Sequence, residues 1–327
     1  MNRSISIAFA ILTLVVVACA PTSGPLGTFP PGSASPEPSV GQGSPDVPPS
    51  SPTPTPSSGP GGSPTPTPSQ GPGSTPSPTP TVPVATTVVR SYFYLDGGQG
   101  SAGLVAVLRE VPETRAVARA AINGLIEGPN RAEREAGISS AVPEGTRLLG
   151  ISIEDTTATI DLSREFESGG GSASTLIRLG QVVFTLTQFP TVDRVVLWIE
   201  GQPVAVFGSE GLILDAPQTR AMYRDLLPAI FVDRPAWGAS IGNPARVTGL
   251  SNVFEATFRI AILDNQGRTL VDQRAMATCG TGCWGTFDVT LRYDVDSAQW
   301  GTLRVYDRSA MDGSPQDIRD YRVWLTP

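Results

Sequence analysis

The sequence predicts an α+β domain, built from a mixed sheet with two helices, followed by an all-β immunoglobulin-like sandwich. A disordered Pro-rich N-terminal tether precedes both domains. Three observations support this prediction. The chain of 327 residues begins with an apolar run and a long Pro/Ser/Thr/Gly tract. Two helical patterns then alternate with strand-like segments. From residue 229 onward only short, regularly spaced strand patterns remain.

Residues 1–19 have the features of a lipoprotein signal peptide. Arg3 precedes an apolar run over 5–17, which is about 20 Å long as a helix and too short for the ~30 Å hydrocarbon core. Val16-Val17-Ala18-Cys19 resembles the bacterial lipobox, in which the cysteine is acylated and becomes the mature N-terminus. The resemblance implies lipidation at Cys19, with palmitate as a candidate acyl chain, and an anchor on the extracytoplasmic face of the cell membrane.

Two alternatives to the lipobox are ordinary secretion and an uncleaved anchor. Ala18-Cys19-Ala20 also fits the small-x-small pattern of a secretory cleavage site. That cut would fall directly before Pro21, whose missing N–H and fixed φ make the bond a poor protease substrate. The sequence therefore favours lipidation at Cys19.

Residues 20–83 form the predicted disordered linker. The segment holds 21 of the chain's 32 prolines and two charged residues, Glu37 and Asp46. Its Ser/Thr-Pro repeats lack the backbone donors that a helix or a strand ladder needs. Such a tract spans about 45 Å as a free coil and up to about 200 Å when extended. We expect it to act as a spacer between the membrane and the folded part.

The composition excludes several classes of active site. The sequence has no histidine, and all 23 of its basic residues are arginine. Ser-His-Asp and Cys-His nucleophile systems, His-ligated zinc and lysine chemistry are therefore absent. We predict no catalytic, cofactor or metal site. The net charge of −7 and the lack of a basic face argue against nucleic acid.

The first folded part, residues 84–211, has strand patterns interleaved with two helical ones. We expect one sheet covered by two helices. The first helix should begin near Pro112-Glu113-Thr114 and end at Gly128-Pro129, and the second should run from about Ala173 to Gln188. A connector over 212–228 has room for one short helix around residues 218–227.

This first part resembles the GerMN domain of sporulation and spore germination. The matching residues are Leu125 to Pro129, Gly137 to Thr146, Ala158 to Ser163, Gln181 to Pro190, Val192 to Val195 and Trp198 to Gly201. The resemblance implies a small non-catalytic module of exported bacterial proteins, with a fold similar to ring-building modules. Self-association is therefore one expectation.

Residues 229–327 contain seven short strand patterns, which indicate an immunoglobulin-like sandwich. They lie at 230–232, 245–250, 256–263, 269–275, 286–293, 302–307 and 321–325, with a hairpin turn at Asn265-Gln266-Gly267. This part resembles the immunoglobulin-like domain of bacterial spore germination. The matching residues are Ile230 to Pro235, Asn243 to Gly249, Val253 to Ala256, Gly285 to Val289 and Asp312 to Ser314.

Cys279 and Cys283 lie four positions apart in a Gly-containing loop. Outside the membrane we expect them to form a disulfide. Free thiols are one alternative. A redox pair or a metal site fits poorly, because the spacing is not C-x-x-C and the chain has no histidine.

Three functions follow as hypotheses. The first is an anchored, non-catalytic interaction or assembly module that contacts envelope proteins or cell-wall polymer. The second is a carbohydrate- or solute-binding surface lipoprotein, with Trp237, Trp284 and Trp300 as candidate exposed aromatics, although core positions are their commoner role. The third is a carboxylate-based hydrolase, for which Asp161, Glu165 and Glu167 are the candidate acids.

Overall fold

The computed structural model describes residues 85–97, 100–209 and 211–327. The predicted signal peptide, Cys19 and the linker over 20–83 lie outside the described residues. In the part of the chain that is described, no helix is both long and apolar enough to cross a bilayer. The predicted fold class is confirmed, because an α+β part precedes an all-β sandwich.

The α+β domain contains two main sheets in place of the single sheet that the sequence indicates. An antiparallel sheet has the order β2-β1-β3, and a mixed sheet has the order β4-β5-β6-β7, with β5 and β6 parallel. The strands are β1 (Thr86–Leu95), β2 (Gly103–Pro112), β3 (Ile138–Ser139), β4 (Leu148–Glu154), β5 (Thr157–Leu162), β6 (Arg194–Ile199) and β7 (Gln202–Pro203). A hairpin of β8 (Val206–Phe207) and β9 (Leu212–Ile213) follows.

The outer edge of β2 pairs with a residue of the following domain. Trp237, which belongs to the following domain, donates its backbone N–H to the carbonyl of Ala106 at 2.8 Å. Its own carbonyl accepts the N–H of Leu108 at 3.0 Å. This parallel bridge between Val107 and Trp237 therefore occupies part of the outer edge of β2.

Three helices accompany these sheets: α1 (Val117–Ile126), α2 (Arg131–Glu135) and α3 (Ser172–Leu186). Helices α1 and α3 pack against β1 and against each other. The predicted start of the first helix near Pro112 is wrong, because Pro112 still pairs with Thr86 at the end of the β1–β2 ladder. The one-turn helix α2 is capped by Asn130 and Glu133, each of which binds the other's backbone N–H through its side chain.

The immunoglobulin-like domain has two sheets, in the orders β10-β12-β15 and β11-β17-β16-β13-β14. Its strands are β10 (Ile230–Arg234), β11 (Ser240–Ile241), β12 (Ala245–Ser251), β13 (Thr257–Leu263), β14 (Thr269–Met276), β15 (Gly285–Leu291), β16 (Gln299–Arg308) and β17 (Pro315–Leu325). Each of the seven predicted strands overlaps one of these. A 3₁₀ helix, Arg220–Leu226, lies in the connector before β10.

The cores of the two domains are continuous. One cluster of buried apolar side chains extends from Phe184 of α3 and Tyr92 of β1, through Phe231 of β10, to Tyr321 of β17. The hydroxyl of Tyr321 also accepts the backbone N–H of Val232 at 3.2 Å. Because no solvent layer divides this cluster, we expect the two domains to unfold together.

Truncation of Phe231 tests the shared core. We expect Phe231→Ala to lower the free energy of unfolding by about 3–5 kcal/mol, because the ring is fully buried and its loss leaves a cavity. Urea unfolding followed by circular dichroism measures the change. Phe254→Ala, whose ring is 58% exposed, is the matched control and should cost at most about 0.5 kcal/mol. Equal losses in the two variants would contradict the prediction.

Candidate functional site at the junction of the two domains

The junction is built around one aromatic side chain that points out of the immunoglobulin-like sandwich. Phe231 pairs across the ladder with Leu250, on the outer face of the three-stranded sheet, yet it has no exposed surface. The α+β domain covers it. Its ring centre lies 5.9 Å from that of Phe184, edge to face, and 6.5 Å from that of Tyr92. The packing fixes one domain against the other.

Asp233 lies two residues after Phe231 in β10 and binds the polar and charged side chains of the junction. Its carboxylate accepts the Tyr92 hydroxyl at 2.5 Å and Nη1 of Arg90 at 3.0 Å. Nη1 of Arg220 lies 3.4 Å from the same carboxylate. We refer to Arg90, Tyr92, Arg220 and Asp233 as the Asp233 cluster. It joins β1, the 3₁₀ helix and β10.

Arg220 binds both the polar and the aromatic parts of the junction. Its Nε donates to the hydroxyl of Thr187 at 2.8 Å, and its Nη2 donates to the carbonyl of Phe184 at 3.1 Å. The guanidinium carbon lies 4.6 Å from the ring centre of Phe184 and 5.3 Å from that of Tyr92. Planar stacking together with forked hydrogen bonding is a property that lysine lacks.

Electrostatics within the cluster keep Asp233 ionised. Burial alone would raise its pKa, but the charges of Arg220 and Arg90 and the hydrogen bond from Tyr92 lower that pKa below its usual value. Burial, followed by the charge of Asp233, raises the pKa of Tyr92 to about 12. The carboxylate is therefore charged and the phenol neutral at pH 7. A carboxylate with a lowered pKa and two cationic partners is a poor general base.

Backbone groups close the remainder of the junction. Arg319 of β17 is buried and donates to the carbonyls of Ser101, Gly103 and Leu104 at 2.6–2.9 Å. Gly103 has φ +147°, and a Cβ there would lie 2.7 Å from the carbonyl oxygen of Leu226. A side chain at this position would push the connector away from β2, so the close approach requires glycine.

A cleft of about 680 Å³, here called the junction cleft, opens beside the Asp233 cluster. It runs over the outer face of the β10-β12-β15 sheet. Its lining residues are Arg220, Phe231, Asp233, Thr248, Gly249, Leu250, Met276, Thr278, Thr286, Phe287 and Asp288. Threonine hydroxyls and paired charges supply hydrogen-bonding groups for a ligand. Among the described residues, no group of three or more Cys, Asp or Glu side chains is placed to hold a metal ion.

The predicted cysteine pair lies in the loop between β14 and β15, directly after Thr278 of the junction cleft. A bond joins Sγ of Cys279 to Sγ of Cys283, and the two Cα atoms are 5.8 Å apart. That separation is within the usual range for a disulfide. Cys19, the predicted lipidation site, lies outside the described residues.

The three candidate tryptophans do not form a binding platform. Trp237 and Trp284 are partly buried and pack against the core. Trp300 is 39% exposed, but its ring meets Trp324 edge to face, and the guanidinium of Arg322 lies 4.0 Å from its ring centre. One ring face of Trp300 is thus covered by Arg322.

The candidate acids of a hydrolase are engaged in local interactions. Asp161 accepts the backbone N–H of Gly201 at 3.0 Å. A hydrogen bond from Ser163, followed by backbone hydrogen bonding, lowers the pKa of Glu165, and Arg147 lies 3.8 Å from its carboxylate. A lowered pKa does not suit a general acid, which needs its proton near neutral pH.

Sequence reasoning did not single out the Asp233 cluster. The sequence does contain a signal for this cluster, in the charged residues of two apolar strand patterns. Arg90 interrupts an apolar strand pattern, and Asp233 follows directly on the buried run 230–232. Charged residues within buried strands need partners. Because the partners of Asp233 lie on other elements, β1 and the 3₁₀ helix, the pattern alone does not identify them.

Comparison with protein families defines the class of each domain. Residues 90–205 match the family model described as "Sporulation and spore germination", and residues 229–314 match that described as "Immunoglobulin-like domain of bacterial spore germination". Residues 90–205 thus form a GerMN-type domain and residues 229–314 an immunoglobulin-like domain of the spore-germination type, and the predicted resemblance is confirmed. A comparison with curated proteins gave no match.

Solved structures similar to this chain include two from the sporulation protein GerM of Bacillus subtilis. The first GerMN domain of that protein is 24% identical over 42% of this chain and 99% of its own, with a TM-score of 0.36. Its tandem GerMN domains are 20% identical over 64% of this chain and 62% of their own, with a TM-score of 0.37.

The Asp233 cluster predicts a defined pH dependence of stability. The folded-state pKa of Asp233 lies below the unfolded value of about 4. Its contribution is therefore complete above that unfolded value and is lost as the pH falls through the folded pKa. We expect Asp233→Asn to lower the free energy of unfolding by about 3 kcal/mol at pH 7. This difference in unfolding free energy between the variant and the unchanged protein should become smaller below about pH 4.

Urea unfolding between pH 2.5 and 7 measures that difference in unfolding free energy. Asp320→Asn, which removes a half-exposed ion pair with Arg304, is the control and should cost at most about 1 kcal/mol. If the loss of unfolding free energy in Asp233→Asn stays constant down to pH 2.5, the ionised carboxylate is not the stabilising species.

A thiol titration tests the disulfide. In the Cys19→Ser chain, denatured without reductant, we expect no reactive thiol, because Cys279 and Cys283 are bonded to each other. Reduction should release two thiols per chain. Two reactive thiols before reduction would contradict the bond.

Proposed function

We propose that this protein is a lipid-anchored lipoprotein on the extracytoplasmic face of the cell membrane. There its two-domain unit acts as a non-catalytic interaction module in envelope assemblies linked to sporulation or germination. The observation that carries the proposal is the junction, in which the polar groups bind one another and fix one domain against the other. A rigid pair of domains on a long tether is suited to presenting a surface.

The chemistry of the chain supports a non-catalytic role. The sequence lacks the histidine and lysine that most nucleophile, base and metal sites use. Asp233, the most enclosed carboxylate of the junction, is bound to two arginines. Asp161 and Glu165 accept local hydrogen bonds.

The proposed localisation rests on the N-terminal sequence. The proposed lipidation signal is Val16-Val17-Ala18-Cys19. The linker over residues 20–83 lets the folded domains extend away from the membrane. Several acyl chains on one residue anchor a protein far more firmly than one, at about 0.8 kcal/mol per buried methylene. The partners on this proposal are the membrane, through the lipid, and envelope proteins or cell-wall polymer.

The junction cleft favours a second candidate function, the binding of a carbohydrate or another solute. Its volume of about 680 Å³ lies in the usual range for ligand pockets. Its two aromatic rings, Phe231 and Phe287, are buried, however, and offer no stacking surface. Binding of the full chain to a glycan array would favour this second candidate. Crosslinking to a defined envelope protein would favour the interaction module.

Metabolic labelling with an alkyne fatty acid tests the anchor. We expect label on the full chain in cells and none on Cys19→Ser, because that variant lacks the acylated thiol. Ala20→Ser is the matched control and should keep the label. Equal labelling of Cys19→Ser would contradict lipidation at this residue.

A further inference from the structure

The outer edge of β4 is an unpaired strand edge of the mixed sheet. β4 is the terminal strand in the order β4-β5-β6-β7, and its residues Leu148–Glu154 pair only with β5. Among the described residues, no backbone group outside β5 hydrogen-bonds to the backbone of β4. Backbone groups of β4 that point away from β5 are therefore free to pair with another strand. We refer to residues 150–154 as the β4 edge.

The turn after β4 determines which backbone groups point outward. Asp155 and Thr156 have φ values of +44° and +62°, as in a two-residue type I′ hairpin turn. The two residues that flank this turn are therefore hydrogen-bonded to each other. Hydrogen-bonded and non-hydrogen-bonded pairs alternate along an antiparallel ladder. Ser152 thus also bonds to β5, whereas Ile151 and Ile153 point their N–H and C=O groups away from it.

The β4 edge is apolar on the face that continues the core. Ile151 lies opposite Ile160, and Ile153 lies opposite Ala158, in the β4–β5 ladder. Residues directly opposite each other share a face of the sheet. Ile160 and Ala158 have no exposed surface, whereas Ile153 is 40% exposed. The apolar face thus extends to the edge of the sheet, and a further strand would remove more of it from water.

The middle of β4 lacks the features that protect sheet edges from pairing. Natural edge strands are often blocked by charged side chains, prolines or bulges. The outermost strand β14, for example, carries Asp272 and Arg274. β4 contains no proline, and its one charged residue is Glu154 at the end of the strand. Its one irregularity lies at the opposite end, between Leu148 and Gly150. The middle of β4 is therefore open to pairing.

The sequence of the β4 edge is complementary to itself. When two copies pair antiparallel with Ser152 of each on a two-fold axis, Ile151 lies opposite Ile153 of the second copy. Both residues have outward backbone groups, so each such pair exchanges both of its N–H···O bonds. Glu154 then lies opposite Gly150, which has no side chain, so like charges do not meet. A second copy therefore satisfies both the hydrogen bonding and the charge pattern of the edge.

We propose that two copies of this protein associate through the β4 edge, by antiparallel pairing about a two-fold axis at Ser152. The two mixed sheets then form one continuous sheet. The contact is small, so the dimer is weak in solution, and anchoring of both copies to one membrane raises their local concentration. This inference goes beyond the proposed function, because it assigns one surface to self-association and requires no envelope partner.

Cysteine crosslinking of the Cys19→Ser chain tests this pairing, because a disulfide accumulates even from a weak dimer. Ser152 is exposed, and the Cα atoms of a non-hydrogen-bonded pair lie about 4.5 Å apart, which a disulfide can span. We expect Ser152→Cys to give a disulfide-linked dimer under mild oxidation. Glu154→Cys, on the same face of the same strand, is the matched control. Its two copies lie about 13 Å apart along the strands in this register and should not crosslink.

A second change tests the edge itself. Ile153→Lys places on β4 the residue type with which natural edge strands prevent pairing. Added to Ser152→Cys, it should slow crosslinking at least tenfold, while circular dichroism stays unchanged. Ile213→Lys, which changes an apolar residue of β9 that is 67% exposed, is the matched control. Added to Ser152→Cys, it should leave the crosslinking rate as it is.

Several outcomes would overturn the proposal. They are no crosslink in Ser152→Cys, equal crosslinking of Glu154→Cys, and no effect of Ile153→Lys. Closed rings larger than a dimer in light scattering would contradict the two-fold contact. Crosslinking of Ser152→Cys in cells to an envelope protein, in place of a second copy, would contradict self-association. Fatty-acid labelling at Cys19 does not depend on β4, so either proposal can fail alone.

Discussion

The carboxylate of Asp233, bound by two guanidinium groups and a tyrosine hydroxyl, is the interaction on which the arrangement of the two domains depends. Its partners come from β1 and from the 3₁₀ helix of the connector. Because the group is largely removed from water, loss of one partner leaves an uncompensated charge, and the cost of that charge opposes any opening of the junction. Phe231 adds apolar burial beside it, and Arg220 links the two contributions by lying over the rings.

The rigid junction and the long linker have complementary roles. On our proposal, the membrane anchor and the linker set where the module can reach, and the junction sets which surface it presents there. Two flexibly joined domains would lose more orientational freedom on binding and would bind less tightly through the same contacts.

The sequence predicted those features that local patterns encode. Two helical patterns between strand-like segments, followed by short and regularly spaced strand patterns, indicated the fold class, and the spacing of Cys279 and Cys283 indicated a disulfide-closed loop. It did not predict the pairing of β2 with Trp237, nor the partners of Asp233. Both depend on contacts between distant segments, and a strand pattern does not specify its neighbour. The helix start was misplaced for the same reason, because Pro112 is retained in the β ladder by Thr86.

Differential scanning calorimetry of the full chain tests the central claim, that the GerMN and immunoglobulin-like domains form one folding unit. The continuous core and the Asp233 cluster predict a single transition, with the calorimetric enthalpy equal to the van't Hoff enthalpy. In Asp233→Asn we expect that transition to remain single and to move to lower temperature. Two resolved transitions in the unchanged protein, one for each domain, would contradict the account.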